Sequence, residues 1–545
     1  MWNGSATRRG VNLVVLPMAS LTAPSPSPAV SAATIARRSW WPFIAAMAVY
    51  LLTSCAVFLR GYLLCGHHLV YPLDDTYIEM AMARSFALHG VWGITRYAFT
   101  SATSSPLFTL LIAIAFRICG VHDWIPLCLS FLSGCLAVSL ADRLLCDYLR
   151  PLPRALALCA FVLLTPLFAI GTLGMEHALH LALTLVLLYL ATQPDPPLPW
   201  LAAASFLLVG ARYEGMALIL AVTLLFAIRK RFAAAAASLS GALLLVAVYG
   251  LFSLLHGAGF APNSILLKST DPGGPTALVQ ALLNLLFNGR FLALLLAALA
   301  LAALLTREPR ARALLFLVCA TDAAQLLAGR FGYAFRYGAY TVGISVLAVA
   351  IALPVLWRVK WLLRLAFLVC AALGLGLCVR RSRLAFDMYP HYTHAIYLQQ
   401  WQMARFLHLY FPNASVAAND IGAINYETSI HCVDLVGLAT QDIARAKRRH
   451  DYSTSFLDRL TTREGVQLAF VYDQWFRGRV DGFADGPALP PRWQKVATLH
   501  RIHEQDLGFN TVSVYAVDPS EKAALVHALR AFQPSLPPGA WLTWP

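Results

Sequence analysis

The chain predicts a mainly α-helical membrane protein, a bundle of about 11 transmembrane spans carrying a C-terminal soluble α/β domain. Three observations predict it. Of 545 residues, 59% are hydrophobic and 13% charged, against roughly 25% charged in an average soluble domain. The apolar residues are gathered in long blocks, the pattern of a polytopic membrane protein. From about residue 385 the blocks give way to short apolar runs with helical patterns between them, as in a small α/β domain. The net charge of +15 does not point to nucleic acid, because Lys and Arg fall largely in short loops between apolar spans, where they orient a membrane protein. Most of the 11 cysteines lie inside apolar blocks, such as Cys128, Cys135, Cys159 and Cys370. There they act as small hydrophobes, and no cysteine or histidine spacing suggests zinc or redox chemistry.

In order, residues 1–39 read as a cytoplasmic tail rich in Ala, Ser and Pro, without a convincing secretory signal. Residues 40–384 form the bundle. Its first span, 40–64, is entered from Arg37 and Arg38, which places the first loop, 65–123, outside. Within that loop Pro106–Cys119 is apolar but only about 14 residues long, short of the ~20 a span needs. Reading it as re-entrant or interfacial keeps Arg150 and Arg154, Arg229–Arg231, Arg307–Arg312 and Arg358–Arg364 on the cytoplasmic side. The spans that follow are 124–142, 154–173, 177–192, 199–211, 214–228, 233–256, 286–305, 312–328, 339–357 and 361–379. Arg380, Arg381 and Arg383 break the charge rule at the outer end of the last span, and binding of lipid phosphate or of the folded domain would account for them. Residues 385–545 read as an extracytoplasmic α/β domain, with strands expected at Ser415–Asp420, Cys432–Leu438, Leu468–Tyr472 and Thr511–Val517 and helices at Thr393–Tyr410 and Ser455–Leu460.

This topology gathers costly polar residues at the outer boundary. Asp74 and Asp75 stand side by side just past the first span. One aspartate suffices to cap the helix that begins near Thr76, so the pair suggests catalysis or cation binding. Glu79 shares a helix face with Asp75 at i, i+4. Glu176 and His177 form a hairpin tip, as do Arg212 and Glu214. Arg212 is a candidate phosphate ligand that could equally pair with Glu214 or Glu176. Asn263 and Lys268 sit in the longest outer loop, Lys268 as a phosphate clamp or a snorkelling side chain. Arg330, Arg336 and Tyr337 interleave cations with aromatics, suited to a phosphate and a sugar ring or to an interfacial belt. Acids for a hydroxyl, bases for a phosphate and aromatics for a sugar together imply a lipid-linked phosphosugar substrate. A lipid or sugar transporter or flippase is the alternative, but such proteins bind near the midplane and often carry repeats, and no repeat is evident here.

The same residues resemble the GT-C superfamily of glycosyltransferases. The acidic pair Asp74-Asp75, Ser104-Ser105-Pro106-Leu107, Gly174-Met175-Glu176-His177, Arg212-Tyr213-Glu214-Gly215, Pro262-Asn263-Ser264 with Lys268, and Arg336-Tyr337 carry the likeness. So do Asn419–Ile424 and Val433–Leu438. The branch is similar to terminal arabinofuranosyltransferases and, more distantly, to aminoarabinose and protein mannosyl transferases. The resemblance implies a multi-pass bacterial inner-membrane enzyme with a periplasmic C-terminal domain. It further implies inverting transfer from a polyprenyl-phosphate sugar to an envelope glycan, lipid or protein acceptor, with Asp74 or Asp75 as base. Lys268, Arg330, Arg336 and Arg212 would hold the donor phosphate. Glu79, Glu176, His177, Glu214, Asn263 and Tyr337 would line the substrate or a divalent-cation site (Mg, Mn or Ca). The sequence itself identifies no metal, and Asp420 and Asp434, near strand ends, are expected to serve as turn or cap residues. Cysteines introduced at positions 106 and 122 are expected to be labelled from the same, outer side; labelling of 122 from the cytoplasm alone would make 106–119 a true span.

Overall fold

A computed structural model describes residues 39–267, 279, 282–332, 334–356, 359–478, 486–503 and 509–545. Lys268 and nearly all of the N-terminal tail lie outside the described residues. The bundle comprises α1 (Trp41–Leu64), α2 (Asp74–His89), α3 (Pro106–Cys119), α4 (Trp124–Leu145), α5 (Pro151–Leu164), α6 (Leu167–Thr172), α7 (His177–Ala191), α8 (Leu198–Ala211), α9 (Met216–Ile228) and α10 (Phe232–Leu255). The short α11 (Asn263–Leu266) precedes α12 (Arg290–Leu305), α13 (Pro309–Ala328), α14 (Ala339–Leu356) and α15 (Trp361–Leu398).

Among the described residues, five helices are long and apolar enough to cross a membrane by length and composition, fewer than the expected 11 spans. The other apolar helices run 10–17 residues. Turn chemistry accounts for some of that shortening: the expected span 154–173 is divided at Pro166, which separates α5 from α6. The 14-residue α3 packs against α2, α4 and α8. Pro at the start of α1, α3, α5, α8 and α13 fits the helix N-terminus, where its missing N–H is not needed. The bundle core is built from Leu, Phe and Ala on neighbouring helices, including Leu158, Phe161, Leu181, Leu208, Leu295 and Leu314.

The helix α15 is 38 residues long and does not stop where the last expected span ends. It runs on into the C-terminal region and meets α16 (Gln400–Tyr410) at a break at Gln399. The domain then follows as β1 (Ser415–Ala418), α17 (Gly422–Glu427), β2 (His431–Asp434), α18 (Gln441–Arg448), α19 (Thr454–Arg463), β3 (Leu468–Val471), β4 (Gln494–Arg501), β5 (Thr511–Ala516), α20 (Lys522–Phe532) and β6 (Ala540–Thr543). The sheet order is β2-β1-β3-β5-β4-β6. β1 runs parallel to β2 and β3, and the remaining pairs are antiparallel. The four expected strands are present, with β2 ending early because Asp434 turns the chain by accepting from Val436 N and Ala439 N at 2.8 and 2.7 Å. Sequence reading missed β4, whose Lys495 and His500 interrupt its apolar pattern, and the four-residue edge strand β6.

Domain and bundle share a core. One buried cluster joins Tyr77, Met80 and Phe108 of the first outer loop to Ile424, Phe470 and Val514 of the domain. At its centre α17 lies against α2 so closely that a Cβ on Gly422 would come within 2.1 Å of the Asp74 carbonyl oxygen. Gly422→Ala is therefore expected to destabilise the purified protein by ~1–3 kcal/mol, the range for overpacking, read as a lower thermal midpoint. Gly376→Ala, on α15 with no atom within 4 Å of the added methyl, is the neutral comparison.

Candidate active site

The carboxyl ends of the parallel strands β1, β2 and β3, the end of an α/β sheet where ligands are commonly held, face the segment 65–123 that carries α2 and α3. Asn419 and Asp420 follow β1, and Tyr472 follows β3. The Asn419 side chain accepts from Tyr472 N at 2.8 Å and ties the two strand ends together. From the bundle side, α2 brings Asp74 and Asp75 to the same seam in its first turn, where the helix dipole favours acids.

The two aspartates have different surroundings. Asp74 accepts from Gly422 N through Oδ2 at 2.7 Å and from Ala423 N through Oδ1 at 2.9 Å. It is thus the N-terminal cap of α17, supplied from 348 residues away. Arg84, further along α2, donates to the carbonyls of Tyr426 and, at 2.5 Å, Thr428. The α2 helix therefore holds both ends of α17. Burial, with a further contribution from Asp420, pushes the Asp74 carboxyl up to about 8 despite the two backbone donors. Asp75 instead pairs with Arg336 through Oδ2 and keeps 28% of its side chain exposed.

Arg336 reaches Asp75 from the loop between α13 and α14. Ala334 and Phe335 there both have φ near +55 to +59°, a left-handed conformation that is costly for residues other than glycine. The conformation is held by Arg381 of α15, which donates to the Phe335 carbonyl. One of the three rule-breaking arginines is thereby accounted for within the protein. A cavity of about 310 Å³ opens beside this loop, lined by Asp75, Arg330, Arg336, Tyr337, Asp420 and Trp475 among others. A second cavity, of about 150 Å³, lies on the domain side of the aspartates. Asp74, Asp75, Asp420 and Trp475 line both.

Other expected site residues lie behind this wall. Arg212 is buried, pairs with Glu176, and grips Glu214 at 3.1 and 2.5 Å. The turn preceding α7 requires Gly174 at φ +70°, where a Cβ would meet Tyr71 at 2.3 Å. His177 and Tyr337 pack edge to face at 6.2 Å. His177, Arg212, Glu214, Arg336 and Tyr337 line a small space of about 20 Å³, large enough for one water. Glu79 is buried and accepts from Thr103 at 2.8 Å and from Thr109. Burial and neighbouring Glu176 raise its carboxyl well above its ordinary range. Asn263 donates to the Leu438 carbonyl at 3.2 Å and fastens the outer loop to the domain. None of Glu79, Glu176, His177, Glu214 and Asn263 lines either large cavity. Among the described residues, no three His, Cys, Asp or Glu side chains converge as metal ligands.

Asp420 was expected to be a turn residue like Asp434. Asp434 is one. Asp420 instead lines both cavities, with Gln400 Nε2 and the Tyr472 hydroxyl each 2.7 Å from its Oδ2. The sequence signals for this were its place at the end of an apolar run, near a strand end where ligand residues often lie, and the resemblance carried by Asn419–Ile424.

A family model described as a domain of unknown function, DUF8728, matches residues 392–515. No curated protein sequence matches the chain. The structure is similar to ArnT from Cupriavidus metallidurans in the apo state, with a TM-score of 0.51 and 16% identity over 88% of this chain and 98% of that one. The undecaprenyl phosphate-bound form of the same protein gives 0.50 and 13% over 88% and 99%. An oligosaccharyltransferase of Archaeoglobus fulgidus in complex with Zn and sulfate gives 0.50 and 13% over 86% and 74%. The chain has the GT-C fold.

Arg212→Met would leave Glu176 and Glu214 without their buried partner, a loss of the order of 3–5 kcal/mol. A collapse of the thermal midpoint is expected. An unchanged midpoint with weakened phosphate binding would return Arg212 to the role of phosphate ligand.

Proposed function

We propose that the protein is an inverting membrane glycosyltransferase that moves a sugar from a polyprenyl-phosphate donor to a hydroxyl acceptor. The observation that carries this is the cavity of about 310 Å³ that Asp75, Arg330, Arg336 and Tyr337 line together. The shared fold supports the donor class, since ArnT is crystallised with undecaprenyl phosphate. The enzyme is read as multi-pass in the bacterial inner membrane, with the N-terminus cytoplasmic and the C-terminal domain periplasmic.

In this reading Arg330 and Arg336 take the donor phosphate. A guanidinium offers paired donors to phosphate oxygens, and fixed charge aimed at the departing group lowers the barrier. Tyr337, already beneath the Arg336 guanidinium at 5.0 Å, supplies an apolar face for the sugar. The acceptor oxygen forms a bond to the anomeric carbon from the side opposite the phosphate. The bond from that carbon to the phosphate oxygen breaks, and its electron pair leaves with the polyprenyl phosphate. The hydroxyl proton passes to Asp75. Both aspartates line the cavity, and Asp75 is preferred to Asp74 as the base because both Asp74 oxygens are engaged by backbone amides of the domain. Lys268 belongs to the proposal as a further phosphate ligand on sequence grounds alone.

A divalent cation fits the carboxylates poorly. Asp74 is held by two amides, Asp75 by a guanidinium and Asp420 by Gln400 and Tyr472. Hard cations need several such oxygens at once, so no step is assigned to one.

A transfer assay with radiolabelled polyprenyl-phosphate sugars tests the reading. Asp75→Asn is expected to lower turnover by ~10²–10⁴-fold, the usual worth of a general base, with the domain still docked. Asp74→Asn should instead loosen the domain, read as faster proteolysis of the C-terminal region. Full turnover in Asp75→Asn would reject it as the base.

A further inference from the structure

The cavity on the domain side of Asp74 and Asp75 is lined by none of Arg330, Arg336 and Tyr337, the groups assigned to the donor. Its wall is aromatic on one side. Tyr472, Trp475 and Phe509 form a corner of three rings, with centroids 5.4 Å apart for Tyr472 and Trp475, 5.5 Å for Tyr472 and Phe509, and 6.2 Å for Trp475 and Phe509. The same cavity is lined by planar polar groups, the carboxamides of Gln399 and Gln400, the carboxylate of Asp420 and the buried guanidinium of Arg501. Gln400 and Tyr472 both bond Oδ2 of Asp420, and Gln399 Oε1 lies 3.0 Å from the same tyrosine hydroxyl. The Asp420 carboxylate is fixed, while its Oδ1 takes no hydrogen bond among the described residues.

A sugar ring has an apolar C–H face and a rim of hydroxyls. Aromatic rings cover the first, and fixed carboxylate and carboxamide groups bond the second. Pockets built mainly of aromatic surface with a few placed polar groups are the usual form of a small-molecule site. The cavity also meets the donor cavity along Asp75, so a hydroxyl of a ring seated there lies beside the group assigned to take its proton.

We infer that this cavity is the acceptor subsite, that the acceptor is a carbohydrate, and that Asp420 with Tyr472, Trp475 and Phe509 of the C-terminal domain holds its terminal ring. The inference rests on the glycosyltransferase reading and deepens it. Asp420 is a binding residue here; the proton still passes to Asp75.

Two measurements on the full-length protein in detergent separate the two readings. In the transfer assay with neutral oligosaccharide acceptors, Phe509→Ala is expected to raise the acceptor KM about three- to tenfold, the worth of one aromatic contact. Asp420→Asn is expected to raise it about tenfold or more, as for a lost hydrogen bond to a charged group. The donor KM stays unchanged in Phe509→Ala, since Phe509 lines the domain-side cavity and not the donor cavity. Acceptor KM values unchanged in both variants, or transfer to peptides alone, would overturn the inference. Calorimetric titration with the same oligosaccharides needs no turnover. Binding by wild type that weakens in Phe509→Ala supports the subsite even if no donor is used, an outcome that would count against the transfer reaction alone. No oligosaccharide binding by folded wild type overturns the subsite.

Discussion

Two backbone amides of the C-terminal domain hydrogen-bonded to Asp74 are the interaction on which the rest of the seam depends. A buried carboxylate without partners would be costly, and the four leading N–H groups of any helix need acceptors. The contact between α2 and α17 answers both needs at once. Arg84 closes the other end of α17 by meeting its carbonyls, so both polar ends of one short helix are satisfied by a neighbour from another part of the chain. The shared core around Tyr77, Phe108 and Ile424 then makes the joint apolar as well as polar. The domain is thus built into the bundle rather than tethered above it.

Three aspartates crowd the seam, and each is tolerated by a different partner: peptide dipoles for Asp74, a guanidinium for Asp75, an amide and a phenol for Asp420. Like charges close together raise one another's cost of ionisation, and burial pushes Asp74 and Asp420 upward. Giving each acid a separate donor set lets three of them coexist in one wall. It also separates their tasks. A carboxylate whose oxygens are both engaged is suited to holding structure. One with an oxygen facing a cavity is suited to meeting a substrate.

Much of the architecture was legible in the sequence because membrane spans and short buried strands write their period directly into the chain. The acidic pair and the Arg330–Tyr337 segment were legible for a related reason: charge beside long apolar blocks stands out. What the sequence did not disclose is pairing at a distance. Arg212 reads equally as a phosphate ligand or as a partner of Glu214 or Glu176, and only the fold shows that it takes both glutamates at once. Asp74 and Asp75 read alike until Gly422, far along the chain, is found against one of them. Tyr472, Trp475 and Phe509 meet only when β3 and β5 pair, and no periodicity marks them beforehand. Turns and prolines that cut apolar blocks into shorter helices, as at Pro166, are likewise not marked by hydropathy alone.

The continuous helix α15 has a mechanical consequence. At a rise of ~1.5 Å per residue its 38 residues extend about 57 Å, well beyond a hydrocarbon core of ~30 Å. The same rod that sits among lipids carries the domain. With ~3.6 residues per turn, each residue inserted or removed along it rotates everything above by about 100°. Because the domain is also fastened to α2 through Asp74 and the shared core, a one-residue change in α15 would set that rotation against the joint, so the two attachments have to agree in helical phase.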